Sequence, residues 1–162
     1  MTWIQRQPDI VKRVQVIHLV RDPRAIYASR RHLRWCKLDK TCGSIRTLCS
    51  QMRSDLDSFE ELAGKIGKAR TDRLRFEDLV ADHINETVRL YAKLGLEYGQ
   101  SVETYLEFHT KADSKDMKNP YSTKRNPRIV LHSWKKKLSR RRIISIQKTC
   151  NDVMRRLGYQ FL

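Results

Sequence analysis

Residues 14–20, Val-Gln-Val-Ile-His-Leu-Val, form a short apolar, β-branched run that stops abruptly at Arg21-Asp22-Pro23. A run of this length and composition reads as a buried strand of the kind that parallel sheets use. Asp22 is a favoured N-cap, because its short carboxylate can accept from an amide of the first helical turn. Pro23 suits the first helical position, where the missing N–H costs nothing. A helix is therefore expected from Pro23 to about Arg34. The strand, tight turn and helix place Arg21 at a strand end and beside the positive end of a helix. Ligand chemistry in α/β folds is concentrated at such a place.

The rest of the chain supplies helices and one weaker strand. Ser44 caps a helix expected to run to about Ala63, with Ile45, Leu48, Cys49, Met52, Leu56, Phe59 and Ala63 on one face and Gly64 as its stop. At residues 72–76, Arg73 and Arg75 alternate with Leu74 and Phe76, which reads as a strand with one solvated face or an edge. A helical turn at 77–80 leads to a helix over 82–94, stopped by Gly95. Residues 101–110 are expected to be helical, and 36–42 and 111–128 to be loops. Trp134 precedes a final helix that Ser139 caps, striped by Ile143, Ile146, Cys150, Val153 and Leu157 and ended by Gly158. This order indicates an α/β fold. The 162 residues suffice for one domain, 1–162. Two strands are too few for a complete doubly wound sheet, so either strands escape this reading or an N-terminal part is missing.

Charge narrows the partners. The net charge is +16, and the excess lies at the two ends: residues 1–53 carry +9 and 117–162 carry +12, around a middle of −5. Basic flanks of this kind suit polyanions: nucleic acid, anionic lipid, sulfated glycan or a polyphosphorylated nucleotide. A solvated basic surface is the plain alternative. No stretch approaches the ~20 apolar residues of a membrane span, and Lys12, Arg13 and His18 interrupt what would have to be a signal segment.

Cys36, Cys42, Cys49 and Cys150 show no Cys-x-x-Cys spacing and no matching His, which argues against structural zinc. Their even number permits two disulfides in any of three connectivities. Asn85-Glu86-Thr87 is a glycosylation sequon, usable only in a secretory lumen. The five histidines show no metal spacing; His18 reads as a core residue.

The turn at 21–24 carries the sharpest chemistry. Arg21, Arg24 and the amides of the helix start make a phosphate site. Ser29 lies ~9 Å up the helix axis at 1.5 Å per residue, so a phosphate touching Arg21 and Ser29 must sit beside the first turns and not cap the helix. The competing reading pairs Arg21 with Asp22 or another neighbour. Glu77 and Asp78 are adjacent acids, which do not share a face of a strand or helix and so do not form a catalytic pair.

The segment from Val16 to Arg30, with its Arg21-Asp22-Pro23-Arg24-Ala25 and Ser29-Arg30, resembles the 3′-phosphate-binding motif of sulfotransferases. Its wording is similar to that of the Golgi carbohydrate 6-O-sulfotransferases of galactose, GlcNAc and GalNAc. Further matches follow in family order: Cys49-Ser-Gln-Met, Leu74-Arg-Phe-Glu-Asp-Leu79, Tyr121-Ser-Thr-Lys-Arg-Asn126, Trp134-Lys-Lys-Lys-Leu-Ser139 and Cys150 to Tyr159. The resemblance spans about residues 14–159.

It implies 3′-phosphoadenosine 5′-phosphosulfate (PAPS) as sulfuryl donor, with no metal, and a glycan or glycosaminoglycan acceptor. Arg21 and Ser29 would hold the 3′-phosphate, with Asp22, Pro23 and Arg24 in the same motif. Arg125, flanked by Lys124 and Asn126, would close over the nucleotide. The resemblance implies a structural role for Glu77 and Asp78, and a Golgi location. No catalytic base is assigned. The Gly/Ser/Thr-rich 5′-phosphosulfate loop and its strand have no counterpart before Val14. The expectation is therefore a partial three-layer, P-loop-like sulfotransferase fold without its N-terminal strand, membrane anchor or targeting segment, whose residues 14–20 expose an apolar flank. Two other classes stay open. One is a nucleic-acid-binding basic domain, although stacking, helix-turn-helix and zinc motifs are lacking. The other is a non-catalytic remnant.

Overall fold

The computed structural model describes residues 13–119 and 121–162. The N-terminal segment read above as no signal peptide falls largely outside the described residues. Strands β1 (Val16–Val20) and β2 (Thr71–Arg75) pair in parallel, with Val16 opposite Thr71 and Val20 opposite Arg75. The fold is α/β, with a short parallel sheet and mostly helices.

β1 is not the buried strand its composition suggests. His18 and Val20 turn inward, but Ile17 and Leu19 are 37% and 57% exposed. The reason is uneven cover. Helix α3 (Ile45–Ile66) covers one face, with Phe59 against His18 at 4.8 Å between ring centroids. On the other face, helix α5 (His83–Leu94) reaches β2, where Arg89 pairs with Asp72 at 2.7 Å.

Helix α1 (Pro23–Arg30) starts as expected, with the Arg24 backbone N–H donating to the Asp22 side chain at 2.8 Å. It ends at Arg30 and not near Arg34, because Leu33 is extended (φ −77°, ψ 137°) and the chain restarts as α2 (Arg34–Leu38). Cys36 is thus helical and not part of a loop. Ser44 caps α3, but the helix passes Gly64 and ends at Gly67, whose φ of +87° suits glycine. Gly64 is exposed within the helix, where solvent-facing glycine is tolerated at modest cost.

After β2 come α4 (Phe76–Ala81), α5, α6 (Gln100–Thr110), α7 (Ser114–Lys118), α8 (Pro127–Lys137), α9 (Arg140–Thr149) and α10 (Asn151–Arg156). The expected loop at 111–128 contains α7, nucleated by a reciprocal capping box between Asp113 and Asp116. Trp134 lies inside α8, which starts at Pro127. The final helix is divided at Cys150 into α9 and α10.

The core is helical. Of the strand residues only Val20 joins its main cluster, which Tyr27, Leu48, Leu56, Trp134, Ile146, Val153 and Met154 fill. Disulfides Cys36–Cys42 and Cys49–Cys150 settle the connectivity. The second joins α3 to the end of α9, and polar pairs extend that seam. Arg53 Nη2 donates to Asp152 Oδ1 at 2.8 Å, and Arg156 reaches Asp57 and Glu60 at 2.7 and 2.8 Å. Two acids of the negative middle segment thus pair with Arg156 of the basic end, while Asp152 of that end pairs with Arg53.

Candidate functional site at the carboxyl ends of the strands

Parallel pairing places both strand exits side by side. Val20 lies opposite Arg75, so the next residues, Arg21 and Phe76, meet: the Arg21 guanidinium lies 4.3 Å from the Phe76 ring centroid. A cation over an aromatic face is attracted by the ring's negative quadrupole. Arg21 is half-buried, and among the described residues its buried Nε has no hydrogen-bond partner. Burial lowers its pKa, against the charges of Glu77 and Asp22, yet a guanidinium stays charged at neutral pH. Arg21 forms one wall of a cleft of about 370 Å³, shared with His18, Arg30, Gln51, Asp55 and Phe76.

Asp22 and Arg24 shape the turn. Asp22 is 4% exposed and Arg24 is 3% exposed. Arg24 Nη2 donates to Asp22 Oδ2 at 2.7 Å, Arg24 Nε to Asp22 Oδ1 at 3.0 Å, and Arg24 Nη1 to Gln147 Oε1 at 2.8 Å. The guanidinium stacks on Trp134 at 4.4 Å. Arg24, expected beside the phosphate, instead points into the molecule, because the N-cap carboxylate and α8 capture it. Pro23 is buried as the first helical residue. Ser29 is exposed on α1, next to cleft-lining Arg30.

Glu77 fastens this turn from below. Its Oε1 accepts from the Asp22 backbone N–H at 3.0 Å and its Oε2 from the Tyr159 hydroxyl at 2.8 Å. Burial first, and then the charge of Glu77, raise the Tyr159 pKa above the ordinary tyrosine value. Asp78 points elsewhere, 3.5 Å from Arg75 Nε. The adjacent acids therefore do not share a target. Sequence reasoning missed Gln147 and Tyr159 as supports of the turn: Tyr159 ends a matched segment but nothing local gives its role, and distant packing assigns both.

The side chains of Lys124 and Arg125 in the Tyr121–Asn126 segment are engaged with their own surroundings. Arg125 Nη1 donates to the carbonyls of Asp116 and Lys124, and Nη2 to that of Asn119, each at 2.7 Å. Lys124 Nζ sits 3.3 Å from the Phe108 ring centroid. Asn126 immediately precedes α8 and is engaged. These cations pin their own loop to α6 and α7.

His18 has its pKa lowered by burial and then by Arg73, which keeps the ring neutral at pH 7. Among the described residues no cluster could hold a metal ion, and no helix is long and apolar enough to cross a membrane. Lys135 to Lys137 and Arg140 to Arg142 face solvent, and Asn85 of the sequon is exposed.

Comparison with known proteins agrees with the wording of the strand–turn–helix unit. Mouse carbohydrate sulfotransferase 4 is 26% identical over 90% of this chain and 42% of its own length. Mouse carbohydrate sulfotransferase 1 is 28% identical over 91% of this chain and 39% of its own length. Human carbohydrate sulfotransferase 5 is 26% identical over 91% of this chain and 40% of its own length. The chain thus spans about two-fifths of the length of these relatives. No solved structure matches it. The profile of the sulfotransferase family matches residues 10–100, which include β1, the Arg21 turn, β2 and the Glu77 strut, and the chain belongs to that family.

Proposed function

We propose that this chain serves PAPS-dependent transfer of a sulfuryl group to a carbohydrate hydroxyl, a 6-OH of a hexosamine or galactose, and that the Arg21 turn holds the donor's 3′-phosphate. One observation carries the reading: a half-buried guanidinium at a strand exit, beside a helix start, its Nε without a hydrogen-bond partner among the described residues. Ser29 would complete the contact from the side of α1. Asp22, Pro23 and Arg24 would shape the turn and not touch phosphate. Arg125, with Lys124 and Asn126, would reach the nucleotide only by exchanging loop carbonyls for phosphate oxygens.

The reaction is an in-line displacement. The acceptor oxygen attacks sulfur, a base takes the hydroxyl proton, the bond from sulfur to the phosphate oxygen breaks, and adenosine 3′,5′-bisphosphate leaves. The side chains of this turn supply positioning, and no base is assigned to them. A Golgi lumen suits the two disulfides and the exposed sequon asparagine.

The test is calorimetric titration of adenosine 3′,5′-bisphosphate and of adenosine 5′-monophosphate. A lost charge-assisted contact of ~1.5–3 kcal/mol corresponds to ~10–150-fold in Kd. Arg21→Ala should lose that much for the bisphosphate and little for the monophosphate, and Ser29→Ala less in the same direction. Equal losses for both nucleotides would show that Arg21 does not read the 3′-phosphate.

A further inference from the structure

A second cavity, of about 310 Å³, opens next to the Arg21 cleft, and Arg30, Leu48 and Gln51 line both. We propose that this cavity, walled by Trp35 and the Asp39–Thr41 turn, binds a sugar ring of an anionic glycan. Its role as the acceptor side of the transfer rests on the preceding reading; the glycan site itself does not.

The wall suits a sugar ring with an apolar C–H face and hydroxyls around its periphery. Trp35 is 47% exposed, although its neighbour Cys36 is 3% exposed. The Cys36–Cys42 disulfide ties α2 to the turn that follows it, with a Cα–Cα distance of 5.2 Å, so the backbone that presents Trp35 and Asp39 has less freedom to lose on binding. An indole face and buried Leu48 suit the C–H face of a pyranose, as aromatic and apolar walls suit most small-ligand sites.

Polar groups converge on the rim. Asp39 accepts from the Thr41 backbone N–H at 2.7 Å and from the Thr41 hydroxyl at 2.6 Å. Those bonds hold its carboxyl below the ordinary range, so its other lone pairs stay available to sugar hydroxyls. Gln51 and Arg30 add donors from α3 and α1.

Charge selects the glycan class. Residues 30–46 carry six cations and one carboxylate, and Arg31, Arg34, Lys37, Lys40 and Arg46 are exposed. A neutral sugar would leave this field unanswered; sulfate or carboxylate groups on neighbouring sugars would meet it. A nucleic-acid base stacked on Trp35 is the competing occupant.

The test uses the oxidised chain and four probes: a 6-sulfated N-acetyllactosamine disaccharide, its unsulfated form, oligothymidylate and adenosine 3′,5′-bisphosphate. The sulfated disaccharide should bind more tightly than the unsulfated one and weaken with salt. Trp35→Ala should lose about tenfold in Kd for it, the size of one aromatic stacking contact. Trp35→Phe, which keeps an aromatic face though a smaller one, should recover most of that loss, and bisphosphate binding should not change in either variant. The proposal is overturned if wild type binds no disaccharide, if the two disaccharides bind alike, if both Trp35 variants bind the sulfated probe like wild type, or if oligothymidylate binds more tightly through Trp35. Glycan binding without bisphosphate binding would refute the donor reading and leave this site standing.

Discussion

Replacing Asp22 tests whether the Arg21 turn is held by a buried ion pair. Asp22→Ala removes the cap on the Arg24 backbone N–H and every carboxylate contact of the Arg24 guanidinium, which is 3% exposed. A lost N-cap costs about 1 kcal/mol. Stranding one charge of a buried pair costs about 3–5 kcal/mol, and the two overlap because the same carboxylate does both. We expect a total of about 3–5 kcal/mol, a large share of the roughly 5–15 kcal/mol that holds a domain together. Gln147 Oε1 and the Trp134 face remain as partial company for Arg24, which keeps the loss from growing further. In thermal unfolding this is a drop of roughly 10 °C or more for a chain of this size. The double variant Asp22→Ala/Arg24→Met should recover most of it, since an apolar chain of similar length fills the space under Trp134 without a charge. The assay is urea unfolding of the oxidised chain at pH 7, followed by circular dichroism. A loss below about 1 kcal/mol for Asp22→Ala, against the expected range, would refute the reasoning. Loss of bisphosphate binding in a stable Arg24→Met variant would return Arg24 to the ligand side.

Two further outcomes are expected. Cys49→Ser/Cys150→Ser opens a crosslink of sequence separation 101 and should cost about 4–5 kcal/mol, whereas opening Cys36–Cys42, of separation 6, should cost about 2 kcal/mol; equal shifts of the urea midpoint for the two pairs would contradict this. Arg53 holds the Asp152 carboxyl down at about 2, so that pair's contribution is present above the ordinary aspartate value and is lost as pH falls toward about 2. Both side chains are largely open to solvent, which screens the pair and keeps its contribution small. Asp152→Asn should therefore flatten the acid side of the stability profile slightly, and a carboxyl titration midpoint near 4 in wild type would count against it.

What could be read from the residues alone was whatever short-range chemistry decides. Asp22-Pro23, Ser44 and Ser139 each start a helix because a capping oxygen lies within three residues of the amide it accepts from. The wording around Arg21 and Glu77 also carried the family, since such motifs preserve residue types at set spacings. Readings failed where two local options were close in energy. Gly64 reads as the stop for α3, but the helix runs on to Gly67, which takes the positive φ. Asp113 and Asp116 looked like loop acids until their reciprocal bonds made a helix start.

The tertiary structure decided which cation faces which partner. Arg21 and Arg24 stand three residues apart at the same turn, and nothing in their spacing distinguishes them. Parallel pairing with β2 sets Arg21 over Phe76 at the rim of a cleft, whereas Trp134 and Gln147, more than a hundred residues downstream, bury Arg24 against Asp22. Likewise the pairing of Cys49 with Cys150 depends on how α3 packs on α9, and the shared wall of the two cavities on how α1, α2 and α3 pack. A charged side chain's role is set by its desolvation and by the groups that reach it, and the folded arrangement alone supplies both.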